Sequence, residues 1–226
     1  MKIASFDVDA QKGFTPLSPD ELPVQGGDEI VEELNAQAKL ADYRVGSKDC
    51  HPPKALWTAD AEHPQFSPVE NGGPNVDIHW NAHCVVGTKG NELLDGLPKV
   101  SEYDYFVFKG IEPDLHPYGA CYHDMEEKLS TGVIEWLKSR EVKIVIVGGL
   151  AYDYCVKTTA IQLRKAGFIV IINGNATRAI SPESEKEALA ETHRLGVGTI
   201  YGGSENVKNW LKSMGHFFEA MEEWRG

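Results

Sequence analysis

Six short apolar runs, at 3–8, 43–47, 103–108, 143–147, 168–172 and 197–201, punctuate the 226-residue chain. Helix-patterned segments stand between them. Ile30, Leu34, Ala38 and Ala41 fall on one face of 28–41, with Asp28 and Glu29 suited to its positive end. Leu129, Val133, Trp136 and Leu137 mark a second helix, and Val156, Ala160 and Leu163 a third, running to Ala166-Gly167. Ser181-Pro182-Glu183 is a capped start with proline at the first helical position. The last helix, 204–225, carries Phe217, Met221 and Trp224 on one face, a stripe for packing or for contact between subunits. Strands alternating with helices imply a parallel sheet covered on both faces. The expected fold is α/β, a doubly wound three-layer α/β/α arrangement around a mostly parallel six-stranded sheet. Without a repeat, linker or composition break, 1–226 is read as a single domain. A polar loop insertion occupies 52–82, and 204–226 is a C-terminal helical extension.

In such sheets ligands bind beyond the carboxyl ends of the strands. The polar residues at those ends are Asp9 after the first run, Asp49 and His51 after the second, and Lys109 after the third. The fourth run leads into Gly148-Gly149-Leu150-Ala151-Tyr152-Asp153-Tyr154-Cys155. That stretch reads as strand, tight glycine turn and helix start. A cysteine at a helix start is drawn toward thiolate, its nucleophilic form. A buried structural cysteine is the plainer alternative. Asp9 is placed to take the thiol proton and to return it to a leaving amine, while Lys109 favours both anions. Backbone amides at Ala151 and Cys155 are candidates for holding an oxyanion. From spacing alone, Asp9 and Lys109 fit a structural ion pair equally well.

Asp49 and His51 are two apart, so on an extended segment they point the same way. With His83 they make a mixed oxygen and nitrogen ligand set suited to Zn, Fe or Mn. His63 is the candidate fourth ligand, with Asp60, Glu62 and His79 as competitors. His116, His123, His193 and His216 are read as ordinary surface or core residues.

The net charge of −12 disfavours nucleic acid and anionic membranes as partners. No window has the length of an apolar membrane span. The N-terminus reaches Asp7 too early for a signal peptide, and four cysteines are too sparse for a disulfide scaffold. A cytoplasmic protein with reduced thiols, acting on a small molecule, is expected, with a homo-oligomer possible through the last helix.

Five segments together resemble the signature set of the isochorismatase-like cysteine hydrolases, most closely the metal-binding nicotinamidase/pyrazinamidase branch. They are Val8-Asp9-Ala10-Gln11 with Phe14, Lys48-Asp49-Cys50-His51-Pro52, Trp80-Asn81-Ala82-His83-Cys84-Val85, Phe108-Lys109-Gly110, and Gly149 to Val156. The resemblance covers nearly the whole chain. It implies hydrolysis of nicotinamide to nicotinate and ammonia, as in NAD salvage, by a triad of Asp9, Lys109 and Cys155. It implies a divalent metal, zinc first, on Asp49, His51 and His83, holding the pyridine nitrogen. It also implies oxyanion amides at Ala151 and Cys155, a cis Leu150–Ala151 peptide, and ring contacts from Phe14, Trp80, Tyr118 and Tyr154.

The chain departs from the pattern at Lys12-Gly13, where the family often has Asn-Asp. It departs again at 54–57, where the third histidine usually stands; His63 and Phe66 keep that spacing further on. Another cysteine amidase of the same superfamily is the alternative reading. A more distant one is a magnesium-dependent phosphatase using Asp7 and Asp9, since Asp-x-Asp after a first strand serves that chemistry too.

Overall fold

The computed structural model describes residues 1–225, with side chains described as far as Phe217. Six strands, β1 (Lys2–Val8), β2 (Tyr43–Asp49), β3 (Tyr105–Lys109), β4 (Val142–Leu150), β5 (Ile169–Arg178) and β6 (Gly198–Ile200), form one sheet in the order β3-β2-β1-β4-β5-β6. Every pairing is parallel. The chain steps outward from β1 to β3, then returns to lay β4 against the other side of β1. That reversal is a topological switch point, where the loops after two neighbouring strands diverge and leave a crevice.

Five α-helices cover the sheet: α1 (Val31–Ala38), α2 (Val133–Ser139), α3 (Lys157–Lys165), α4 (Pro182–Arg194) and α5 (Gly203–Arg225). The central strands are apolar on both faces because both faces are covered. Along β4, Val145 and Val147 pack with Leu137 of α2, Leu163 of α3 and Ala188 of α4. Ile146, between them, packs on the opposite face with Val207, Trp210 and Leu211 of α5. Helix α4 starts as its sequence predicts, with the Ser181 hydroxyl accepting the Ser184 N–H at 3.1 Å and Pro182 following.

One expectation changes. The second helix does not reach back to Leu129, whose side chain is exposed. The Asp124 carboxylate captures the amides of Lys128 and Leu129, and Gly132 adopts a left-handed conformation, so the helix begins only at Val133. Of the apolar stripe on the last helix, Phe217 is exposed, while the Met221 and Trp224 side chains lie outside the described residues. Helix α5 packs on the sheet through Val207, Trp210 and Leu211.

The segment 52–82 folds back on itself and packs with Phe14, Leu34 and Leu150. Thr58 bridges to Trp80, Pro68 bridges to Ile78, and Trp57 is completely buried. Among the described residues, no helix is long and apolar enough to cross a membrane.

Candidate active site

Strands β1 and β4 touch closely at the switch point. A Cβ on Gly149, in register with Val8, would lie 1.8 Å from the Val8 carbonyl oxygen, so only glycine fits. The chain then passes a cis Leu150–Ala151 peptide into one π-type turn, Tyr152–Val156, closed by the Val156 N–H on the Ala151 carbonyl at 3.1 Å. Single π turns of this kind recur at functional sites. Cys155 sits in the turn, ahead of α3 rather than within its first turn.

Three other strand ends converge on Cys155. Asp9 leaves β1 in a left-handed conformation (φ 45°), its Oδ1 accepting the Ser47 hydroxyl at 2.7 Å. Asp49 and Lys109 end β2 and β3 as register partners. The Lys109 ammonium lies 3.0 Å from Asp9 Oδ2 and 3.8 Å from Cys155 Sγ, donates to the Pro117 carbonyl at 3.1 Å, and is paired with Asp49. Lys109 and Asp9 are fully buried. An ammonium without water must find its donors' partners within the protein, and Lys109 finds two carboxylates and a carbonyl.

Burial pushes the Asp9 carboxyl up to about 6, against the pull of the Lys109 ammonium. Burial would also raise Asp49, but Lys109 and the neighbouring imidazoles hold it well below the usual carboxylate range. For Lys109, burial works against the charge, and Asp49 and Asp9 more than offset it. Cys155 runs opposite to the sequence expectation. Burial pushes its thiol well above the ordinary value despite Lys109, and a hydrogen bond to Asp9 adds to that. The sulfur is thereby biased toward the thiol form, beside the Asp9 carboxyl.

The second cluster adjoins the first through Asp49. Among the described residues, His51, His83 and His116 offer ring nitrogens that all lie within 4.8 Å of one another. His51 Nε2 is 3.5 Å from Asp49 Oδ2. His51 Nδ1 faces the Gly110 carbonyl at 2.9 Å, and His83 Nδ1 faces the Asn81 carbonyl at 2.7 Å. A carbonyl only accepts, so each Nδ1 carries a proton, which in His83 leaves Nε2 with its lone pair. His51 Nε2 and His116 Nδ1 are buried with no hydrogen-bond partner. Burial, together with the neighbouring rings, lowers His83 to about 3 and lowers His116 also, keeping both neutral. One carboxylate and three buried imidazoles, two of them with a ring nitrogen that has no partner, fit a divalent transition-metal ion.

His63 does not join this cluster. It is exposed, paired with Asp60 at 3.1 Å and stacked on His79 at the outer side of the 52–82 segment. Asp60, Glu62 and His79 are likewise absent from the cluster. His116 takes the fourth place in the cluster; its backbone N–H donates to the Asn75 carbonyl at 2.9 Å. No sequence spacing singles it out. The one hint is its neighbour Pro117, whose carbonyl receives Lys109.

Phe14, Trp80, Tyr118 and Tyr154 line a single cavity, with Asp49, His83 and His116 at one part of its wall and Ala151 and Cys155 at another. The Trp80 indole donates to the Tyr118 hydroxyl at 3.1 Å, and that hydroxyl donates to Asp77 at 2.8 Å. Leu22 and Ile180, which no motif marks, complete the apolar wall. Ile180 is held by its N–H on the Asp153 carboxylate at 3.1 Å, and Asp153 belongs to the same turn as Cys155. Asp7, the first aspartate of the phosphatase alternative, is buried against Arg44 at 2.6 Å and Tyr103 at 3.0 Å and does not line the cavity.

The isochorismatase domain model matches residues 6–200. A nicotinamidase of Acinetobacter baylyi is 33% identical over 205 residues, covering 88% of this chain and 92% of the relative. An Acinetobacter baumanii nicotinamidase/pyrazinamidase structure superposes with a TM-score of 0.82 at 27% identity, over 91% of this chain and 98% of the other. A Pyrococcus horikoshii pyrazinamidase in complex with zinc superposes with a TM-score of 0.68 at 30% identity, over 89% and 99%.

Proposed function

The chain belongs to the isochorismatase family, and from that premise we propose that it hydrolyses nicotinamide to nicotinate and ammonia with Cys155 as nucleophile. One observation carries the reading: a single cavity presents a thiol paired with a base in one wall and a carboxylate with unprotonated imidazoles in another. A pyridine ring bearing a carboxamide has a lone pair for one cluster and an electrophilic carbon for the other. The zinc-bound pyrazinamidase and the nicotinamidase relatives support this pairing. We read 1–226 as one such hydrolase domain.

The residues divide the work as follows. Phe14, Trp80, Tyr118 and Tyr154 enclose the ring and exclude water. Asp9 takes the Cys155 proton as sulfur attacks the amide carbon. The Ala151 and Cys155 amides hold the oxygen that gains charge. Asp9 returns the proton to the departing nitrogen as the C–N bond breaks, releasing ammonia and leaving a thioester. Asp9 then takes a proton from water as its oxygen attacks the thioester carbon. The C–S bond breaks, the Asp9 proton returns to sulfur, and the nicotinic acid formed loses its remaining proton to solvent to give nicotinate. Lys109 stays protonated throughout and stabilises Asp9 as an anion and the sulfur as it gains charge.

Asp49, His51, His83 and His116 would hold the ion, for which zinc suits three imidazoles and a carboxylate. When bound, it supplies a Lewis-acidic anchor for the ring nitrogen. The test is ammonia release from nicotinamide by metal-stripped protein before and after divalent metal is restored. Activity restored by zinc, iron or manganese supports the reading; no ammonia with any of them contradicts it.

A further inference from the structure

Glu21 lies outside every motif and touches none of the reacting groups. Its carboxylate nevertheless reaches across 63 positions of sequence, where Oε2 accepts the Cys84 N–H at 2.8 Å. Its own carbonyl accepts the Asn81 side-chain amide at 3.4 Å. Asn81 is the residue whose carbonyl fixes the His83 Nδ1 proton. Both contacts from Glu21 therefore grip the four-residue bend, 81–84, that presents His83.

The grip needs space and meets a backbone that needs holding. A Cβ on Gly13 would sit 2.3 Å from Glu21 Oε2, and one on Gly90 would sit 2.0 Å from Oε1. The carboxylate thus occupies a slot between two bare α-carbons, one of them at the Lys12-Gly13 departure from the family pattern. Cys84 lies in the left-handed region (φ 48°), which a residue with a side chain enters only when its surroundings impose it. On the far side of the bend, the Cys84 carbonyl accepts the His51 N–H at 3.2 Å and the Asn91 side-chain amide at 3.0 Å. Asn91 also donates to the Asp49 carbonyl at 2.7 Å. The peptide after His83 is therefore fixed by Glu21 through the Cys84 N–H, and the next is fixed by the segments that carry Asp49 and His51.

We propose that Glu21 is a positioning residue for the metal site: it straps the 81–84 bend through the Cys84 N–H and so holds His83 in the tautomer and orientation that leaves Nε2 open to a divalent cation. This rests on reading His83 as a ligand. The strap works by hydrogen-bond reach, not by charge. An amide oxygen at the same length serves as well as a carboxylate, and a carboxylate one methylene shorter does not.

Three variants separate these causes: Glu21→Gln, Glu21→Asp and Glu21→Ala. Two measurements are made on metal-stripped protein. One is the side-chain 15N spectrum of His83, which reports its tautomer without metal or nicotinamide. The other is zinc affinity in competition with a chromogenic chelator. Wild type and Glu21→Gln are expected to show one Nδ1–H tautomer and zinc affinities within about threefold of each other. Glu21→Asp and Glu21→Ala are expected to show mixed tautomers and affinity lower by about tenfold, the low end for residues that orient a ligand. Should Glu21→Ala not fold, Glu21→Asp carries the test with the charge retained. The proposal is overturned if His83 keeps one tautomer in both shortened variants. It is equally overturned if Glu21→Asp behaves as wild type while Glu21→Gln does not, which would make the role electrostatic. A tautomer change as expected in a protein that binds no zinc supports the strap and removes the metal reading instead.

Discussion

Lys109 and Asp49, register partners at the ends of β3 and β2, form a buried ion pair whose ammonium also lies 3.8 Å from the Cys155 sulfur. One cation thereby joins the thiol, its base and a carboxylate of the imidazole cluster. Lys109→Ala leaves two buried carboxylates uncompensated. It should lower kcat/KM by about a thousandfold or more and cost about 3–5 kcal/mol of stability. Steady-state kinetics and denaturant unfolding read the two effects. Near-native activity in a folded Lys109→Ala protein would contradict the role assigned to this lysine.

His116 and His63 make opposite predictions. His116→Ala should weaken zinc binding by at least about tenfold, because it removes a nitrogen that lies within 4.8 Å of the other two imidazoles. His63→Ala, at an exposed ring paired with Asp60, should change it by less than about threefold. Chelator competition measures both. The reverse order would restore His63 to the site.

The pH profile follows from Asp9. Its carboxyl is raised by burial to about 6, and in its proposed role as base it has to be ionised to accept the thiol proton. Protonation inactivates it, so kcat/KM should rise with pH through about 6 and then level off. The free-enzyme profile reports this group because kcat/KM reflects unliganded enzyme. An acid limb at the ordinary carboxylate value near 4 would mean that an exposed carboxylate, not Asp9, is the base.

Gly149→Ala tests the switch point. Its Cβ would fall 1.8 Å from the Val8 carbonyl oxygen, in a backbone conformation (φ 122°) that side chains avoid. A loss of more than about 4 kcal/mol is expected, as for other changes that force backbone apart. Unfolding in denaturant measures it. Wild-type stability would show that β1 and β4 can separate there without cost.

The alternation of apolar runs with helical spacing was enough to read the α/β class and the six strands, because a strand buried on both faces needs an unbroken apolar run. Strand ends beyond those runs, such as 173–178 of β5, are polar and were not legible. Periodicity alone extends the second helix to Leu129, because it does not register a side chain such as Asp124 competing for backbone amides. Asp9, Asp49, Lys109 and Cys155 could be found because a parallel sheet delivers its strand ends to one rim. His116, Leu22, Ile180 and Glu21 come from loops, whose placement depends on contacts far apart in sequence. The direction of the Cys155 shift was lost for a related reason. A helix start predicts a lowered thiol, but burial, which outweighs it here, is a property of the folded chain.

The central claim is that Cys155 attacks the carboxamide of nicotinamide. The most direct test compares ammonia release from nicotinamide by metal-loaded wild type and Cys155→Ala, with acid-quenched wild type mapped by mass spectrometry for a nicotinoyl thioester. Loss of turnover in Cys155→Ala, with any trapped acyl group on the peptide containing Cys155, is the predicted result. Continued ammonia release by Cys155→Ala, or an acyl group on Cys50, Cys84 or Cys121, would contradict it.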